Sequence, residues 1–477
     1  MARHLARTAS GIDGLDRILH GGFVEGASYI IQGRPGAGKT ILCNQIAFSH
    51  AANGGKVLYV TLLAETHERL FQAMSTLDFF NAEYLGQKVT YVSVFQSLRE
   101  EGLGAVVQLL RQETRRHQAT LLIFDGLLNA RDRAATDLDV KTFVAEVQGQ
   151  AGFVGCTVLF LTSTRLDDSS PEHTMVDGVI DLGDEIFGVR TVRQLQVRKS
   201  RGSPAIGGLH QYEITRSGVT LYPRIEAVAW PLIPPAPAML GQRVTSGNHG
   251  LDGLMCGGLP RGSITLVAGP TGAGKTTLGL HFLSAGCAEE PALHFGFFEK
   301  LALLQRKAST LGIGLSPDHV HLAWTPLAEN LLDRLGHELL ALVTRHRVTR
   351  LFIDGVGGFE RAATHRSRLV EFFTALTNRL RATGVTTLVT WESREILDQS
   401  AKAPMEQLSG MFDNIVMMRR IETDHGPEGT IAIEKMRDSA FDSHTHILAI
   451  TDSGLLIGPR WGEDRDTGDE AENPGAY

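Results

Sequence analysis

Four apolar runs of strand length punctuate the first half of the chain: "SYIIQG" (28–33), "VLYVTL" (57–62), "TLLIFD" (120–125) and "TVLFLTS" (157–163). Most positions in each run are apolar, where a half-exposed strand would be apolar at every second one. This is the pattern of strands buried on both faces. Amphipathic stretches of helical length separate the runs. The alternation predicts an α/β fold with a mainly parallel sheet flanked by helices. Two later stretches, "LHQYEITRSGVTLYP" (209–223) and "HTHILAITDSGLLIGP" (444–459), predict hairpins turning at Ser217-Gly218 and Ser453-Gly454.

The second half repeats the first. "TASGIDGLDRILHGGFVEGASYIIQGRPGAGKT" (8–40) aligns with "VTSGNHGLDGLMCGGLPRGSITLVAGPTGAGKT" (244–276), and Lys199 aligns with Lys435 at the same offset of 236 residues. Tandem copies of one domain explain this. The predicted organisation is a first domain over 1–223, a proline-rich linker over 224–243, a second domain over 244–460 and an acidic mobile tail over 461–477.

Composition narrows the function classes. Hydrophobic residues at 43% and charged residues at 21% fit a globular protein, and the net charge of −7 lacks the cationic field that nucleic-acid binding draws on. Nucleic acid and membrane are not expected as partners, and a cytoplasmic location is. The four cysteines are too widely spaced for a zinc site or a compact disulfide framework.

The chemistry is announced by two G-x-x-x-x-G-K-[ST] loops, each after an apolar strand. In the first, Gly33, Arg34, Pro35, Gly36, Ala37, Gly38, Lys39, Thr40 and Ile41 form the candidate phosphate cradle; in the second, Gly269, Pro270, Thr271, Gly272, Ala273, Gly274, Lys275, Thr276 and Thr277 do. Glycines let backbone N–H groups wrap phosphate oxygens, and the lysine reaches the terminal phosphates. The expected cofactors are ATP and Mg²⁺. The metal-side candidates are Thr40 with Asp125, and Thr276 with Asp354, because an acid ending a buried strand is placed to hold the metal's water shell.

With the repeated S-G-x-x-G-L-D, both P-loops, both strand-end aspartates and the K-x-R elements "VRKSRG" and "EKMRDS", the chain resembles the two-domain KaiC family, RecA-like ATPases of the bacterial circadian clock and its relatives. The resemblance runs from about residue 8 to 459. It implies tandem duplicated RecA-like P-loop domains, ATP hydrolysis, assembly into a homohexameric double ring, and signalling or clock partner proteins. It further implies a glutamate pair after the strand that follows the P-loop helix, one activating water. Here those pairs read Ala64-Glu65 and Phe298-Glu299, leaving Glu65 and Glu299 as candidate bases or ordinary helix-start acids. The resemblance assigns Lys199 with Arg201, and Lys435 with Arg437, to the neighbouring subunit's site, where an arginine finger acts. Lysine and arginine two apart on a strand share a face; a solvated basic edge is the other reading. The resemblance also implies serine/threonine autokinase activity in the second domain, for which Ser409 is the phosphoacceptor candidate beside Gly410. A nucleotide-gated scaffold without catalysis, or a RecA-type DNA-dependent ATPase, would share this fold.

Overall fold

The computed structural model describes residues 5–62, 67–134, 136–163, 170–228, 241–392, 410–423 and 426–462. Glu65 and Ser409 lie outside the described residues, as do linker residues 229–240 and the tail from 463 onward. The chain divides into two compact units, Met1–Ala229 and Trp230–Tyr477.

In the first unit nine strands form one sheet: β1 (Ser28–Gly33), β2 (Val57–Thr61), β3 (Val89–Ser93), β4 (Leu121–Asp125), β5 (Thr157–Thr162), β6 (Gly178–Phe187), β7 (Arg190–Ser200), β8 (His210–Thr215) and β9 (Gly218–Tyr222). Their spatial order is β9-β8-β7-β6-β1-β5-β4-β2-β3. The six strands from β6 to β3 run parallel, and β7 to β9 continue the sheet antiparallel. Burial of β1 on both faces follows from its sequence. Tyr29 and Ile31 pack on one side with Leu42 and Ile46 of the helix Lys39–Ala52, while Ile30 packs on the other with Leu58 and Phe124.

The second unit has strands β10 (Ile264–Gly269), β11 (Ala292–Gly296), β12 (Val320–Trp324), β13 (Arg350–Asp354), β14 (Thr386–Glu392), β15 (Asn414–Thr423), β16 (Gly426–Met436), β17 (His446–Thr451) and β18 (Gly454–Arg460). Their order is β12-β11-β13-β14-β10-β15-β16-β17-β18, the same topology strand for strand. Both units are thus RecA-like α/β domains.

The signature S-G-x-x-G-L-D proves to be a structural clamp. The Asp16 carboxylate accepts from the backbone N–H of Ser10 and Gly11, and Asp252 does the same for Ser246. The glycine is required by proximity: a Cβ on Gly247 would sit 1.9 Å from the His281 carbonyl oxygen.

Both hairpins form, with their turns one residue earlier than the sequence suggests. Thr215 pairs with Gly218 and Thr451 with Gly454, so Arg216-Ser217 and Asp452-Ser453 are the two-residue loops. Each glycine opens the return strand at positive φ.

Candidate functional site

Each P-loop lies between the end of a central strand and the start of a helix. In the first, Gly36 and Gly38 adopt φ of 85° and 90°; in the second, Gly272 and Gly274 adopt 77° and 97°. These left-handed conformations suit glycine and turn backbone N–H groups inward. The helices Lys39–Ala52 and Lys275–Ser284 start at the motif lysines. Lys39 Nζ donates to the carbonyls of Gly33 and Arg34 at 2.6 and 3.0 Å, and Lys275 Nζ to those of Gly269 and Pro270 at 2.8 and 2.7 Å. Burial holds both ammonium groups below the ordinary lysine range, opposed by Asp125 in the first domain and by Glu392 and Asp354 in the second.

Around the first loop is a cleft of about 790 Å³ lined by Lys39, Thr40, Asp125, Ser163, Arg193 and Ile214, among others. Parallel pairing of β4 with β2 and β5 brings Asp125 level with Thr61 and Leu161. Asp125 is surrounded by Lys39, Thr40 and Tyr59; burial raises its carboxyl above the usual Asp value, partly offset by these three neighbours.

The second domain builds the same corner with different support. Thr276 Oγ1 donates to Asp354 Oδ2 at 3.1 Å and Thr390 Oγ1 to Asp354 Oδ1 at 2.8 Å. His294, on β11 where the first domain has Tyr59 on β2, stands with Nε2 4.0 Å from Asp354 Oδ2. Burial works to raise the Asp354 carboxyl, but His294 and the hydroxyls of Thr390 and Thr276 outweigh it, and the group titrates below the ordinary Asp range. Each corner sets the P-loop threonine hydroxyl beside one strand-end carboxylate. Mg²⁺ takes such a sparse set of hard oxygens when phosphates and water complete its shell.

The candidate base Glu299 is paired with Lys307 at 3.1 Å. Beside it Phe298, where the family's first glutamate would be, lies over the turn after β13: a Cβ on Gly355 would be 2.5 Å from the Phe298 ring. The Lys-x-Arg pairs differ from a simple same-face strand pair. Lys199 and Lys435 lie within β7 and β16, while Arg201 and Arg437 fall just beyond the strand ends. Lys199 Nζ donates to the carbonyls of His173 and Val176, both at 2.7 Å, and Lys435 Nζ to that of Phe412 at 2.8 Å. Arg201 pairs with Asp177 at 3.7 Å and Arg437 with Asp413 at 3.4 Å, with side chains 61% and 52% exposed. These aspartates mark the opposite end of the sheet from the P-loop, since the Ser28 and Ile264 N–H groups donate to them. Ser28 is five residues from Gly33, about 16 Å of strand. The structure therefore groups Lys39, Thr40 and Asp125, and likewise Lys275, Thr276 and Asp354, and holds each Lys-x-Arg pair away from the P-loop of its own domain.

Some cleft residues escape the sequence motifs. Arg193 reaches the first cleft from β7, Arg420 donates to the Gly272 carbonyl at 3.1 Å, and Glu392 accepts from Thr271. Glu392 carried a legible signal, an acid ending an apolar strand; the arginines carried none, because cross-strand register decides where they point.

Comparison with known proteins agrees with this architecture. The family model described as the KaiC ATPase matches the chain twice, over residues 8–226 and 244–461. Similar curated proteins include the circadian clock oscillator protein KaiC of Picosynechococcus sp., 25% identical over 475 residues that span 94% of this chain and 88% of the relative. That of Thermosynechococcus vestitus is 24% identical over 485 residues, and that of Synechococcus elongatus 23% over 470, each with the same two coverages. The chain belongs to the KaiC ATPase family.

Proposed function

We propose that this KaiC-family P-loop ATPase binds one ATP with Mg²⁺ in each domain and completes each site at a subunit boundary of a homohexameric double ring. Lys39 and Lys275 hold the terminal phosphates, and the backbone N–H groups of each loop cradle them. Thr40 with Asp125, and Thr276 with Asp354, hold the metal, which when bound neutralises phosphate charge. Lys199 with Arg201, and Lys435 with Arg437, serve the next subunit's nucleotide, steadying the charge that develops on the γ-phosphate. The observation that supports this division is the placement of each Lys-x-Arg pair at the end of the sheet remote from its own P-loop.

Turnover is slow in this reading. A glutamate that activates water needs a free carboxylate, and Glu299 is engaged by Lys307 while Phe298 replaces its neighbour; in the first domain Glu65 carries the role alone. Ser409 is the acceptor for phosphate from the adjacent second-tier site, so incubation with Mg²⁺ and ATP should add one phosphate by intact mass, absent in Ser409→Ala. An unmodified chain would leave the protein an ATPase without kinase activity. The nucleotide state of the ring is read by signalling or clock partner proteins in a cytoplasmic setting. The described residues contain no helix long and apolar enough to cross a membrane.

The ring is tested by mixing two inactive chains, Arg201→Ala and Lys39→Ala, both also carrying Arg437→Ala to silence the second tier. Random pairing in a cyclic ring leaves about one quarter of first-tier sites with an intact lysine and an intact neighbouring arginine. Phosphate release should recover to about that fraction; no recovery in rings shown to be mixed by native mass would place the arginine's action within its own chain or nowhere.

A further inference from the structure

The last side chain of β1 before the first P-loop is Gln32, which is fully buried. A buried carboxamide needs partners for both of its polar atoms. Gln32 Nε2 donates to Asp181 Oδ1 at 2.5 Å, and its Oε1 lies 2.9 Å from His173 Nε2. Asp181 is the register partner of Gln32 on β6 and is itself buried, and its second oxygen stands 3.2 Å from Arg198 Nε. Arg198 is the extra residue of a β-bulge, since Val179 pairs with Lys199 and Ile180 with Val197. Its neighbour Lys199 donates to the His173 carbonyl. Gln32, Asp181, Arg198, Lys199 and His173 thus close a circuit across the stretch of sheet that separates the P-loop from the Lys-x-Arg pair.

The second domain keeps the bulge, between Ile415 and Val416 on the partner strand, but not the circuit. Ala268 and Met417 stand where Gln32 and Asp181 do, and Glu434, in place of Arg198, pairs with Arg419. An apolar pair therefore serves the same fold. Buried polar groups are a costly way to obtain stability that apolar packing supplies, so the circuit needs another reason.

We propose that Gln32 and Asp181 are positioning residues that couple the first P-loop of a subunit to the Lys199 and Arg201 it presents to its neighbour. This rests on the reading that the Lys-x-Arg pair acts in trans. A shift of Gly33 moves Gln32 through the backbone and reaches the β7 bulge through the buried Gln32–Asp181 hydrogen bond and the Asp181–Arg198 ion pair; in the second domain it ends at the methyl group of Ala268. The first tier is coupled from site to site around the ring, and the second is not coupled by this route.

The test uses full-length rings carrying Arg437→Ala, in which phosphate release reports the first tier. Gln32→Ala with Asp181→Met transplants the second domain's pair. Because misplacing a charge-stabilising group costs rate more than ground-state binding, kcat should fall roughly tenfold or more while first-site nucleotide Kd stays within about threefold. Asp181→Asn keeps an acceptor for Gln32 and removes the charge facing Arg198; it should give an intermediate loss, and it carries the test if the double variant does not fold. An unchanged kcat in folded rings of either variant would overturn the proposal, as would a Kd that weakens in step with kcat, the mark of a purely structural role. Arg201→Ala separates the two levels. If it leaves hydrolysis intact, the trans reading falls and this proposal with it; if it silences hydrolysis while the circuit variants do not, only the coupling falls.

Discussion

At the scale of single residues, the strand-end aspartates Asp125 and Asp354 occupy equivalent positions yet sit in opposite electrostatic settings, the carboxyl raised at Asp125 and lowered at Asp354. The strand that carries Asp354 is anchored at its other end by Arg350, which is almost fully buried. Its Nε and Nη2 donate to Glu290 Oε2 at 2.9 and 2.7 Å, and its Nη1 to the Thr245 carbonyl at 2.9 Å. Burial works to raise the Glu290 carboxyl, but the guanidinium groups of Arg350 and Arg261 outweigh it and hold it below its ordinary 4.5. A depressed folded value means stability that is present above pH 4.5 and lost as pH falls through the lower folded value. Glu290→Gln should therefore destabilise the second domain by about 1–3 kcal/mol at neutral pH. The difference from wild type should shrink in thermal melts as pH drops below 4.5; a difference that persists unchanged in acid would refute the ion-pair account. The placement of the P-loop lysines and strand-end aspartates beside one another was legible in the sequence because it is set by local backbone context. His294, Arg193 and Arg420 were not, since only strand register brings them to the site.

Among the elements, the parallel half of each sheet announced itself through doubly buried apolar runs such as "SYIIQG". The antiparallel half was harder to see: β7 reads "RTVRQLQVRKS", where charged and polar residues interrupt the apolar ones, and Val192 and Leu195 are buried on opposite faces without forming a continuous apolar run. The bulge at Arg198 left no mark in the sequence, nor did the break that puts Arg201 and Arg437 beyond their strands, because both are fixed by pairing with β6 and β15. Close packing of strand ends makes one glycine critical. A Cβ on Gly269 would lie 2.5 Å from the Met418 carbonyl oxygen of β15, a backbone atom that can yield only if the strand moves. Gly269→Ala should cost about 1–3 kcal/mol of stability and weaken second-site nucleotide binding while sparing the first. Unchanged melting and calorimetric binding would show that the two strands are less tightly joined there than the geometry requires.

For the whole molecule, the duplication was plain from the 236-residue offset shared by Lys39 with Lys275 and Lys199 with Lys435, and each unit carries the same nine-strand order. What distinguishes the halves lies beneath the motifs: Tyr59 against His294, Gln32 and Asp181 against Ala268 and Met417. One fold with one loop motif, built twice, is the ground for proposing two nucleotide sites in each chain. Titration of ATP with Mg²⁺ by calorimetry measures that claim directly. The wild-type chain should take up two nucleotides, and Lys39→Ala and Lys275→Ala one each, because each substitution removes the ammonium from a single phosphate cradle. A wild-type chain that binds only one nucleotide, or a lysine variant that still binds two, would contradict the account.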